Sequence, residues 1–345
     1  MLLAVLGAVA AVIGWRWPRH DAPPQGPPPR VVDPPPLWIS IDVPDGGSID
    51  VSKLVGGTKP IALNVRGDIR DLSPLARLPN IRWLSIDNRR GNRPLLDLAP
   101  LASLHELREL EVGPASMLID TLAPLAGLTT LESLKVSRCG ISDLTPLAGL
   151  ARLRTLDVSD TPVTDLSPLR GLTALTSLNL RTTKVSNLEA LRPLMALERL
   201  VLIAAPIRDL APVADLANLR SLMIGSLPVV DLTPLRSLRH LDSLWVSDLL
   251  VRDLEPLRGL PSLRDLEVKQ TLVTERDLGV LASLPALRKV ELANTLISQE
   301  TCARYAKDAD IHGIRVTCIA SDPVPDLEAS IRAAIASALR YSPLP

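Results

Sequence analysis

Residues 143–164 read DLTPLAGLARLRTLDVSDTPVT, and residues 165–186 read DLSPLRGLTALTSLNLRTTKVS. The two segments match position for position: an Asp-Leu-x-Pro-Leu opening, then Leu150, Leu153 and Leu156 answered by Leu172, Leu175 and Leu178, then Thr161 and Val163 answered by Thr183 and Val185. A unit of 22 residues cannot enclose its own leucines, so consecutive copies must stack and share one continuous core. Leu178 and Leu180, two residues apart, point to the same side of a short strand, and the wider-spaced leucines before them carry the chain back through the core. The pattern therefore specifies a solenoid of parallel strands.

The opening recurs at Asp71, Asp97, Asp143, Asp165, Asp231 and Asp253, with weaker copies at Thr121, Asn187 and Asp209. Strand centres follow at Ile41, Leu63, Leu84, Leu110, Leu134, Leu156, Leu178, Leu200, Leu222, Leu244, Leu266 and Val290. Twelve parallel strands are expected, in a ladder about 53 Å long at about 4.8 Å per strand. Ile49 to Leu54 keep the frame, so residues 37–60 are read as an N-terminal capping repeat and residues 61–296 as the repeat array. Residues 297–319 are read as a C-terminal cap, a helix followed by a strand. Residues 320–345 are read as a tail whose Leu327, Ile331, Ile335 and Leu339 form a narrow helical stripe, expected to dock on the end of the solenoid or to engage the concave face or a partner.

Composition agrees with a repeated aliphatic core. The 345 residues are 46% apolar but only 2% aromatic, without a single Phe. Equal numbers of basic and acidic residues, 38 each, leave no long-range field to attract a phosphate backbone, which argues against a nucleic-acid partner. Three cysteines are too few for a disulfide framework and lack zinc-ligand spacing. Cys139 falls at a core position, whereas Cys302 and Cys318, both in the cap, are candidates for one bridge. His105 and His240 precede strands six repeats apart, roughly 29 Å, so no nucleophile, histidine and acid come together. No enzyme, metal site or cofactor is expected.

Residues 1–17 are an apolar signal or anchor segment, in which Met1 to Trp15 precede Arg16, Arg19 and His20. As a helix the apolar run spans about 22 Å, short of a hydrocarbon core of roughly 30 Å. A membrane-anchored or exported protein is expected, with the membrane as a partner through this segment. Its side stays open: Arg16 and Arg19 favour a cytoplasmic solenoid, while a terminal disulfide favours the opposite face. Residues 18–36 contain nine prolines in nineteen positions and read as an extended linker.

The 22-residue frame with Asp-Leu-Ser-Pro-Leu resembles the bacterial internalin-like leucine-rich repeats, and is similar in length to the repeats of phosphatase-1 regulatory subunits. The resemblance spans about residues 37 to 316. It implies an α/β solenoid, a leucine-rich-repeat horseshoe with a parallel concave β-sheet and short 3-10 or turn segments on the convex side, and a protein ligand held on the concave face. The family's Asn or Thr ladder is kept at Thr161, Thr183, Thr271 and Thr295 and replaced at Cys139. It is broken at Ala115, Ala205, Leu227 and Leu249.

Outward positions on the strands give the candidate partner site. Val201, Ile203, Met223 and Trp245 are expected to form an apolar strip, bordered by Arg181 and Arg199 on one side and by Asp265, Glu267 and Lys269 on the other. An aromatic anchor with a polar rim is the composition of an interaction hot spot. The stretch between Ile86 and Asp97 is longer than standard and carries Arg89, Arg90 and Arg93, suited to an acidic partner or to neutralisation by Glu109 and Glu111. A monomeric, non-catalytic protein-interaction scaffold is the expected role. A regulatory subunit that positions a separate enzyme, or a surface adhesin, remains open.

Overall fold

The computed structural model describes residues 36–44, 47–88, 96–113, 119–311, 313–319 and 326–340. All of them lie in one unit, Pro36–Pro345. The apolar segment 1–17, nearly all of the linker 18–36 and the three-arginine loop lie outside the described residues.

The strands are Leu37–Val43 (β1), Ile61–Gly67 (β2), Ile81–Asn88 (β3), Glu109–Val112 (β4), Ser133–Val136 (β5), Thr155–Asp157 (β6) and Ser177–Asn179 (β7). Then come Arg199–Ile203 (β8), Ser221–Gly225 (β9), Ser243–Leu249 (β10), Asp265–Thr271 (β11), Lys289–Ala293 (β12) and Arg315–Ile319 (β13). They form a single parallel sheet in strict chain order. The horseshoe solenoid read from the repeat is borne out, with two corrections. Among the described residues the sheet has thirteen strands, not twelve, because the cap strand β13 adds to β12 with Val290 opposite Val316. The first strand is shifted by two residues: Ile39 lies opposite Leu63, and Ile41 opposite Val65. A two-residue slip leaves the same side chains facing inward, so the alternation of Ile39 and Ile41 did not distinguish the two registers.

Strands β2 to β11 are each followed by a return through a 3-10 turn on the convex side, and the aspartate column starts most of these turns. Asp71, Asp97, Asp143, Asp165, Asp209 and Asp231 each accept the backbone N–H two residues ahead at 2.8 Å. Asn187 and Asp253 do so at 2.7 Å. This satisfies a donor that the turn leaves free, while the following proline, present in all of these turns but that of Asn187, supplies a preset φ. Hydroxyl hydrogen bonds from Thr145 and Ser167 are the largest of the influences that hold the Asp143 and Asp165 carboxyls below the usual carboxylate range.

The core is one cluster of leucine, valine and isoleucine running from Val43 to Cys302. Where the chain leaves β5 to β12 it passes through left-handed backbone at Arg138, Asp160, Thr182, Ala204, Ser226, Asp248, Gln270 and Asn294, with φ between 45° and 56°. None of these is glycine, so each carries a steric cost of about 1–2 kcal/mol that stacking must offset. The ladder sits one residue further on. Thr161 and Thr183 donate to the carbonyls of Val158 and Leu180 at 2.5 and 2.8 Å, and Cys139 Sγ donates to Ser137 O at 3.2 Å. Ala205, Leu227 and Leu249 are fully buried and fill the same column with hydrocarbon. Thr271 Oγ1 is buried without a partner among the described residues, while Thr295 is half-buried. Ala115 lies outside the described residues.

Three α-helices, all toward the C-terminus, complete the described chain: Leu278–Leu281 (α1), Gln299–Ile311 (α2) and Leu327–Arg340 (α3). α2 packs beside β13, and a disulfide joins Cys302 to Cys318 with their Cα atoms 6.1 Å apart. α3 does not cover the solenoid end or the concave strip. It lays Leu327, Ile331 and Ile335 on Leu272 and Leu250, the residues just past β11 and β10, and pairs Glu328 with Arg252 at 2.5 Å. Those two positions hold Pro206 and Pro228 in the preceding repeats. Leucine there creates a small apolar landing on the flank, which the tail helix covers. Among the described residues no helix is long and apolar enough to cross a membrane.

Candidate functional site

The concave face is defined by the residues that alternate with the buried leucines. Along β8, Leu200 and Leu202 are buried while Arg199, Val201 and Ile203 are half-exposed. Parallel register then aligns equivalent positions of successive repeats into rows about 4.8 Å apart. One row runs Val201, Met223, Trp245, Glu267, Glu291. The row beside it runs Ile203, Gly225, Ser247, Lys269. The structure thus brings Val201, Met223 and Trp245 side by side, with Ile203 adjoining them.

Gly225 is buried beside Ile203: a Cβ built there would lie 3.8 Å from Ile203 Cγ1 and 3.3 Å from the Ser247 carbonyl, so the neighbouring strands close in on this position. Trp245 is half-buried, and its indole N–H is buried without an acceptor among the described residues. Arg199 begins β8 one row over from Val201, and Arg181 follows β7 by two residues. Both are half-exposed and flank the strip on its N-terminal side.

On the C-terminal side the charges satisfy one another. Lys269 Nζ lies 2.7 Å from Glu267 Oε1 and 2.7 Å from Glu291 Oε1, with all three side chains at most 24% exposed. Burial, the largest single influence, acts to lower the lysine pKa, but the hydrogen bonds to Glu267 and Glu291 outweigh it and hold the ammonium above the ordinary lysine range. Trp245 therefore abuts a closed ion triad carrying one net negative charge.

The strip is not the only aromatic feature of this face. At the N-terminal end, Trp38 and Trp83 flank Ala62 across β1, β2 and β3, and line a pocket of about 350 Å³ with Asn64, Ser85, Glu109, Glu111 and Lys135. Trp38 is 77% exposed. The signal in the sequence is that both tryptophans alternate with inward residues along their strands. The remaining candidates fall elsewhere: His105 and His240 are exposed in different repeats, and Cys139 is buried with its thiol pushed up to about 11 by burial. Among the described residues no three His, Cys, Asp or Glu side chains are grouped to hold a metal ion.

With this geometry in hand, the comparisons with known proteins are consistent. The family described as "Leucine Rich repeats (2 copies)" matches residues 151–193. No curated protein matches the sequence significantly. Among solved structures, an internalin, InlF, from Listeria monocytogenes is 24% identical over 76% of this chain and 81% of its own, with a TM-score of 0.61. A leucine-rich-repeat protein of Leptospira interrogans is 18% identical over 74% of this chain and 64% of its own, with a TM-score of 0.59. The plant peptide hormone receptor RGFR1, solved in complex with RGF2, is 16% identical over 86% of this chain and 48% of its own, also at 0.59. The chain thus carries leucine-rich repeats and shares the solenoid fold of these proteins.

Proposed function

We propose that this protein is a non-catalytic recognition scaffold that binds a protein ligand on its concave face, with Trp245 as anchor, Met223, Val201 and Ile203 as its apolar surround, and Arg199 and Arg181 as rim. The observation that carries the reading is the row Val201, Met223, Trp245, three apolar side chains on adjacent strands, with Ile203 adjoining them. A partner that docks there covers apolar surface and removes it from water, the term that favours binding at this spot. The peptide-hormone receptor of similar fold, solved with its ligand, supports this role for a solenoid of this kind.

An exported or membrane-tethered setting accompanies the reading. The Cys302–Cys318 disulfide supports an oxidising compartment, and the apolar segment 1–17 would deliver or tether the chain. Affinity capture with the wild-type chain, Trp245→Ala and the convex-side control Arg236→Ala tests the function. Trp245→Ala should weaken capture of the bound protein by at least about 2 kcal/mol, with Arg236→Ala unchanged. Equal capture by all three would refute the concave strip.

A further inference from the structure

The pocket at the N-terminal end of the concave face differs in chemistry from the Trp245 strip and stands independently of it. Trp38 and Trp83 lie in one row with Ala62 between them, so the indoles are anchored two strands, about 9.6 Å, apart over a floor with no large side chain. The next row is Ser40, Asn64, Ser85, Glu111 and Lys135, and Glu109 adjoins Trp83 on β4.

Its polar groups are mostly acceptors. Asn64 Oδ1 is buried without a hydrogen-bond donor among the described residues. Glu109 is exposed and has no ion-pair partner among them, and Ser40 and Ser85 contribute hydroxyls. The single cation, Lys135, is engaged with Glu111 at 3.3 Å, which leaves the lining one negative charge in excess. A ligand for this pocket must bring several donors, a positive charge and a flat or apolar body to lie against indole.

We propose that the pocket seats an arginine side chain presented by a protein ligand. A guanidinium offers five N–H donors in a planar fork, pairs bidentately with a carboxylate such as Glu109, and stacks on tryptophan, the strongest of the cation–π partners. The hydroxyls of Ser40 and Ser85 accept from remaining donors. The volume of about 350 Å³ is at the small end of ligand pockets, suited to one side chain and not to a helix.

The test uses the full chain and two probe peptides, acetyl-Gly-Arg-Gly amide and its neutral isostere with citrulline in place of arginine. Indole N–H resonances are followed by NMR, assigned with Trp38→Phe and Trp83→Phe. The arginine peptide should shift the Trp38 and Trp83 signals saturably. The citrulline peptide and the Glu109→Gln variant should each bind about tenfold more weakly or worse, the loss expected for a charge-assisted hydrogen bond. Trp245→Phe should change nothing, which separates this site from the central strip. No response to the arginine peptide, equal binding of the citrulline peptide, unchanged affinity in Glu109→Gln, or tighter binding of a neutral disaccharide at the same two indoles would each overturn the assignment.

Discussion

The Ser247 hydroxyl donates to Asp248 Oδ2 at 2.8 Å, and Asp248, 1% exposed, sits in left-handed backbone near the end of the Trp245 strand. Burial raises the Asp248 pKa to about 6, against the opposing pull of hydrogen bonds from Ser247 and Ser226. The sign follows from linkage. Unfolded, the group titrates near its ordinary value of 3.8, so between there and about 6 the folded chain binds the extra proton. Stability therefore falls as pH rises through that window, and the loss is complete above about pH 7, at up to about 3 kcal/mol for a shift of about two units. Asp248→Asn keeps a residue tolerant of left-handed backbone and removes the charge. It should stabilise the protein at pH 7.5 and have little effect near pH 4, as read by urea unfolding at both pH values.

The ladder column allows a paired comparison. Thr161 Oγ1 donates to Val158 O at 2.5 Å, whereas Thr271 Oγ1 is buried without a partner among the described residues. Thr161→Val should cost about 1 kcal/mol, the net worth of one hydrogen bond, and Thr271→Val should gain about 1–2 kcal/mol by removing a desolvated hydroxyl. Thermal melts of the two variants should shift in opposite directions.

Ala204 has φ of 54° and still donates its N–H to Gly225 O at 2.9 Å. Ala204→Gly relieves the Cβ clash at this position but increases the freedom of the unfolded chain, for a net gain of about 0.5–1 kcal/mol. A lower urea midpoint for this variant would contradict the left-handed column.

The stacking of the repeats was legible because Leu156, Leu178 and Leu200 recur 22 residues apart and nothing else repeats as strictly. Leu178→Ala should accordingly cost about 2–5 kcal/mol, since the side chain is 1% exposed. The left-handed column was not legible, because Arg138, Thr182, Ala204 and Gln270 share no side-chain property; stacking imposes their conformation. The tail stripe Leu327, Ile331 and Ile335 was visible, but its landing was not. Leu250 and Leu272 follow strands directly and read as more core. At the candidate site, the alternation that separates Val201 from Leu202 was plain from sequence. The Trp38–Ala62–Trp83 arrangement depends on pairing across strands, including a register irregularity between Ile61 and Ala62, which spacing along the chain does not reveal.

Cys302 and Cys318 close a short loop at one end of the array, tying α2 to β13. Closing a loop of about 15 residues stabilises by about 3 kcal/mol in the chain-entropy account. In a solenoid each repeat contacts only its neighbours, so the loss on reduction should stay local. Cys302→Ser with Cys318→Ser should accelerate amide exchange in Arg315–Ile319 and Gln299–Ile311, with Lys289–Ala293 following as its outer neighbour frays. Thr155–Asp157 and Ser177–Asn179, six and more strands away, should exchange as in the wild type. Uniform acceleration across all of these strands would mean that the array unfolds as a single unit and that the bridge stabilises the whole stack, not only its end.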